Sequence, residues 1–209
     1  MLDRGYVTFA RFRGAPIRLH WSIPLGALVF TGFSFAPGAW IGIVALIVLH
    51  EVGHAILVRA RGLHTVSIDV HGLGGVCRYE GDPTPLSRAI IAWGGVLAQI
   101  LVYAVTRSVL AFTGSPEPQI LRELVWSLLG PNLWMIAINL LPVAPLDGAE
   151  AWKLPGMLWR RWRKRRSHRK IQRARKAMQA RDPGDVQETV REALERARRE
   201  AAAESHKKA

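Results

Sequence analysis

Residues 45–58 read ALIVLHEVGHAILV. Without His50, Glu51 and His54 this would be an ordinary apolar helix. Ionisable groups are costly inside an apolar span, so their presence there is by default a sign of function. His50 and His54 are four residues apart and fall on one helix face, one turn apart. Two neutral imidazoles so placed can ligate one Zn²⁺. Glu51 lies beside them, where it can take a proton from water. This is the H-E-x-x-H logic of zinc proteases. Two histidines joined only by interhelical hydrogen bonds are the bland alternative, and the spacing argues against it.

The rest of the chain shows where such a helix belongs. Of 209 residues, 49% are hydrophobic, yet the net charge is +13. Residues 153–209 carry 19 Lys/Arg against seven Asp/Glu, whereas residues 1–152 are nearly neutral. The expected division is a membrane core over residues 1–152 and a basic helical cytoplasmic tail over 153–209. The single cysteine, Cys77, excludes an internal disulfide framework and a cysteine-rich zinc site.

A membrane helix needs about 20 mostly apolar residues. Four stretches are candidates: residues 20–36, 39–58, 89–106 and 124–143. The first reads as a retained span, not a removed signal peptide. Arg4, Arg11, Arg13 and Arg18 precede the first stretch. Arg59 and Arg61 follow the second, Arg88 precedes the third, and the basic tail follows the fourth. Basic residues favour the cytoplasmic side, so the expected topology is multi-pass with both termini cytoplasmic. The fold class expected is an all-α polytopic membrane protein of about four transmembrane helices. A short membrane-associated β-hairpin is added within residues 62–81. There, residues 65–70 alternate polar and apolar, glycines 72, 74 and 75 mark a turn, and residues 76–80 form a second strand.

A catalytic zinc takes three protein ligands and keeps one open position. Candidates for the third are His20, Asp69, His71, Glu123 and Asp147. Asp147 lies just past the fourth stretch, on the same side as His50 and His54. Pro142 and Pro145 would unwind the chain there and let Asp147 return toward the histidines.

These motifs together resemble the site-2 protease family of intramembrane zinc metalloproteases, over about residues 16–150. PIRLHWSIPLG resembles the family's first core span, and LHEVGHA its zinc-binding helix. GLGGV and AWGGVLAQI resemble its glycine-rich element and following span. NLLPVAPLDG resembles its Asn-x-x-Pro-x-x-x-Leu-Asp-Gly signature. The resemblance implies one Zn²⁺ per chain held by His50, His54 and Asp147, with Glu51 as general base. It implies cleavage of membrane-spanning substrates near the cytoplasmic side, in regulated intramembrane proteolysis of a prokaryotic cell membrane. Asn139 is the expected substrate-orienting amide, and Gly74 and Gly75 lie in the expected substrate-facing element. Gln99 stands where the family often has Asn, and is expected to serve the substrate in its place. The alternative reading is an inactive membrane scaffold of the same fold, binding partners through its tail. Anionic lipid is the partner expected at that tail, where Trp159 and Trp162 read as interfacial anchors; no nucleic acid is expected.

Overall fold

The computed structural model describes residues 5–179 and 183–207. Its elements, in chain order, begin with β1 (Tyr6–Phe12), β2 (Ala15–His20), α1 (Ile23–Phe30) and α2 (Pro37–Ala60). They continue with β3 (His64–His71), β4 (Gly74–Glu80), α3 (Pro85–Thr113) and α4 (Gln119–Asn139). The last are α5 (Gly148–Ala151), α6 (Lys153–Gln179) and α7 (Pro183–Lys207). The chain divides into two units, Met1–Met157 and Leu158–Ala209. The second holds most of α6 and all of α7, and the Trp159 and Trp162 rings lie 5.1 Å apart.

The first unit is mostly helical but not all-α. A four-stranded sheet runs in the order β1-β2-β3-β4. The hairpin expected within residues 62–81 is present as β3 and β4, paired from His64↔Glu80 to His71↔Gly74. The N-terminal hairpin was not expected. Its turn is Arg13-Gly14, both with φ > 0 (50° and 97°), as a two-residue type I′ turn requires. β2 then pairs in parallel with β3, through Ile17↔Ile68 to Leu19↔Val70. Parallel neighbours need a long crossover, and here α1 and α2 supply it. Inward residues of both strands, Ile17, Ile68 and Val70, form a core with Ile43, Ile47 and Ala55 of α2. The sheet is thereby fixed along the helix that carries the two histidines.

The helical count also needs correction. Among the described residues, α2 and α3 are the two helices long and apolar enough to cross a membrane. The stretch expected as a first span contains the end of β2 and then α1, only eight residues. At 1.5 Å per residue that is about 12 Å, too short to cross. His20 and Arg18 belong to the sheet instead, and helix α1 stops at Phe30, with Gly32 and Phe33 beyond it at positive φ. α4 has 21 residues, with Arg122 and Glu123 in its first turns.

Asp69, one candidate ligand, is committed to the sheet. It is 1% exposed and takes two hydrogen bonds from Arg18, at 2.6 and 2.8 Å. Arg78 Nε lies 3.2 Å from its Oδ2. One carboxylate thus ties β2, β3 and β4 together. Removing one partner of a buried ion pair strands the other, at a cost of about 3–5 kcal/mol. Asp69→Ala is therefore expected to lower the unfolding midpoint of the detergent-purified protein sharply. Arg78→Ala, removing the more exposed partner, is expected to do far less.

Candidate metal centre

The site is built where α2 and α3 touch backbone to backbone. A Cβ on Gly53 would lie 2.3 Å from the Gly94 carbonyl oxygen, and one on Gly94 would lie 2.5 Å from that of Gly53. Small residues permit this closeness between apolar helices. It brings both histidine rings within reach of α3. His54 Nδ1 lies 2.8 Å from the Ile91 carbonyl oxygen, and His50 Nδ1 lies 3.1 Å from Gln99 Oε1. Gly95 leaves the space His50 fills: a Cβ there would meet the ring at 2.3–2.5 Å.

Asp147 arrives from the far end of the chain. α4 stops at Asn139, and residues 140–147 form successive turns. The chain doubles back so tightly that a Cβ on Gly148 would lie 2.3 Å from the Leu141 carbonyl oxygen. Two indoles pin the return: Trp93 Nε1 donates to Ala151 O at 3.0 Å, and Trp152 Nε1 to Leu140 O at 2.7 Å. Asp147 Oδ2 then stands 3.0 Å from His50 Nε2 and 3.1 Å from His54 Nε2, which are themselves 3.0 Å apart.

Those three atoms fit a metal for a reason of proton bookkeeping. The Ile91 carbonyl can only accept, so His54 Nδ1 carries the ring proton and Nε2 bears a lone pair. The Gln99 carbonyl oxygen does the same for His50. Asp147 Oδ2 is buried and has no hydrogen-bond donor among the described residues. Three lone pairs therefore converge at about 3 Å, an arrangement that repels itself unless a cation joins it. Two imidazoles and a carboxylate suit zinc, each His held by an acceptor behind it.

Glu51 is outside this triangle but shares its cavity, a space of about 770 Å³. It is 5% exposed, and β4 lies against it: a Cβ on Gly75 would come within 2.5–2.9 Å of its side chain. Gly74, Gly75 and Asn139 line the same cavity, as does His71. Cys77 also lines it, and burial followed by the Glu51 charge pushes its thiol up to about 12, so it stays a neutral thiol. The other candidates lie elsewhere. His20 hydrogen bonds Ser22 Oγ at 2.7 Å, and its ring lies 4.7 Å from that of Tyr6 at a tilt of 52°. Glu123 accepts from Gly38 N at the opposite end of α2.

No protein-family model matches the chain. It is 30% identical over 179 residues to the Mycobacterium tuberculosis protein named "Putative zinc metalloprotease Rip3", covering 76% of this chain and 45% of that one. It is 29% identical over 118 residues to "Putative zinc metalloprotease sll0528" of Synechocystis, covering 56% of this chain and 30% of that one. Its structure is similar to the site-2 protease from Methanocaldococcus jannaschii, with a TM-score of 0.56 and 25% identity. That likeness covers 70% of this chain and 69% of the other. These likenesses support the site-2 protease family for this chain.

The chain spans less than half the length of the curated relatives it matches. One site expectation needs correction. Gln99 is fully buried behind His50, out of reach of any substrate in the cavity. Trp93, Trp152, Gly95 and the Ile91 carbonyl support the site and were not singled out for it in the sequence. Only the Gly94-Gly95 pair within an apolar helix carried a local hint of close approach. Gly95→Ala is expected to displace the His50 ring and weaken metal binding roughly 10–100-fold, the range for changes that reorient a ligand. Zinc titration against a competing chelator measures it.

Proposed function

We propose that this chain is a zinc metalloendopeptidase that cleaves membrane-spanning protein segments near the cytoplasmic face. The observation that carries the reading is the convergence of His50 Nε2, His54 Nε2 and Asp147 Oδ2, with the Glu51 carboxyl in the same cavity. His50, His54 and Asp147 would hold the ion. Zinc, when bound, supplies Lewis-acid chemistry that acidifies water to a pKa of about 7 and polarises a carbonyl. Glu51 takes the proton from the attacking water and returns it to the leaving amide nitrogen.

Presenting the peptide is the harder step, because a helix hides its carbonyls in its own hydrogen bonds. β4 is an end strand of the sheet, and Gly74, Gly75 and Val76 line the cavity beside Glu51. An unwound substrate can add to that edge as a further strand, with main-chain hydrogen bonds holding it. The missing side chain at Gly74 leaves open space for it, while that at Gly75 makes room for Glu51. Asn139 lines the same cavity, which supports its reading as the amide that orients the scissile carbonyl.

The membrane reading rests on α2 and α3, with α4 crossing beside them; its 21 residues measure about 32 Å. Arg59, Arg61 and Arg88 lie at the end of α2 and start of α3 nearest the site, which supports reading that side as cytoplasmic. α6 carries basic residues throughout and no acid, which suits anionic lipid. Cleavage at this depth frees the cytoplasmic part of a substrate, the event on which regulated intramembrane proteolysis depends.

The test is proteolysis of a single-span substrate by the detergent-purified or reconstituted protein. Cleavage is expected to stop on zinc chelation and return on zinc resupply. Cleavage that persists in a protein stripped of metal overturns the reading. So does a wild-type protein that takes up no zinc, an outcome that favours the scaffold alternative.

A further inference from the structure

His54 and His50 are held from behind in different ways. His54 leans on a main-chain carbonyl of α3, which no substitution of a side chain removes. His50 leans on a side chain, Gln99, eight residues further along the same helix. Gln99 is 0% exposed, and its own backbone carbonyl accepts from Asn132 Nδ2 at 3.0 Å. Asn132 is also fully buried and sits on α4. His50, Gln99 and Asn132 thus form a polar line through three apolar helices. The Gln99 Nε2 and Asn132 Oδ1 atoms have no partner among the described residues. Leaving buried amide atoms unpaired is costly, so packing alone does not account for a glutamine here; an apolar side chain of similar size carries no such cost.

We propose that Gln99 is a positioning residue that selects the metal-binding tautomer of His50. This rests on the reading that His50, His54 and Asp147 hold zinc. A neutral imidazole has one N–H, and it can sit on either nitrogen. With the Gln99 carbonyl oxygen at Nδ1, the proton stays there and the Nε2 lone pair faces His54 and Asp147. Without an acceptor at Nδ1, the proton is free to move to Nε2. There it can bond to the Asp147 carboxylate 3.0 Å away, closing the site against a cation. The contact is 3.1 Å, near the long end for an N–H···O bond, so an arm shorter by one methylene no longer makes it.

The test compares wild type with Gln99→Leu, Gln99→Glu and Gln99→Asn as full chains in detergent. Zn²⁺ and Co²⁺ affinity is measured by chelator competition, and the visible absorption of bound Co²⁺ is recorded. Nitrogen NMR of the histidine rings in metal-free protein reads the His50 tautomer. Gln99→Leu is expected to bind metal roughly 10–100-fold more weakly, with a mixed tautomer and an altered Co²⁺ band. Gln99→Glu keeps an acceptor at Nδ1 and is expected to restore affinity; Gln99→Asn is expected to resemble leucine. Should Gln99→Leu not fold, the contrast between Glu and Asn carries the test alone. Equal affinity in Gln99→Leu and wild type overturns the proposal and leaves the zinc site standing. Equal loss in the leucine and glutamate variants with an unchanged tautomer overturns it too, leaving a packing role. A wild type that binds neither ion overturns the zinc reading itself, and this inference with it.

Discussion

Asp147→Ala is expected to lower zinc affinity by about a thousandfold, so that the protein emerges from purification with little metal. The reasoning starts from ligand number. Zinc bound to a full protein site is held by about 10–16 kcal/mol, and one ligand of three carries a share of about 3–5 kcal/mol, which is around three powers of ten. The two histidines that remain are neighbours on one helix and cannot surround an ion. Asp147 alone brings negative charge to the triangle, so its loss costs more than that of either imidazole. Asp147→Asn keeps the shape of the turn and separates loss of charge from loss of fold. The main-chain bond Ala151 N to Asp147 O, at 2.8 Å, does not involve the side chain, so helix content is expected to survive both changes. His54→Ala serves as the matched control. Zinc retained at wild-type strength in Asp147→Ala would mean that another group closes the site. His71 lines the same cavity and would be the next residue to replace.

Glu51→Gln is expected to give the opposite pattern: zinc retained, hydrolysis lost. A positioned acid–base group contributes about 10²–10⁴ to a rate, and the whole of that is expected to disappear from kcat. Glu51 is adjacent to His50 but is not one of the three converging groups, so metal content is not expected to fall. Glutamine has the same size, so the tight contact with Gly75 in β4 is kept and KM is expected to change little. Measuring zinc content and single-turnover cleavage on the same preparation separates the two roles. A Glu51→Gln protein that cleaves at the wild-type rate would remove Glu51 from the mechanism. One that loses zinc would make it a ligand and force the base to be sought elsewhere in the cavity.

Several features were legible in the chain because they are local. The i, i+4 spacing of His50 and His54 places them on one face of any helix, whatever surrounds it. The apolar runs that became α2 and α3 declare themselves by length and composition. The alternation in residues 65–70 and the glycines after it marked the β3–β4 hairpin. Prolines 142 and 145 marked the end of α4 and the return that brings Asp147 back.

Other features exist only between segments. Arg13-Gly14 is a local turn signal, yet the strands it joins became a sheet because Asp69, 51 residues beyond Arg18, completes a buried ion pair with it. The first apolar stretch looked long enough to cross because hydropathy counts residues without regard to partners. In the fold, its beginning is claimed by β2 pairing with β3, and only eight residues remain helical. Gln99 read as a substrate group because position within a motif does not reveal which way a side chain faces. The close approach of Gly53 and Gly94 turns it inward onto His50. Spacing along one helix fixes which residues share a face, and so the sequence by itself determined the pair of imidazoles and their neighbouring carboxylate. Only tertiary contact decides what stands behind that face, and so the tertiary structure alone decided how those imidazoles are oriented and which groups hold them from behind.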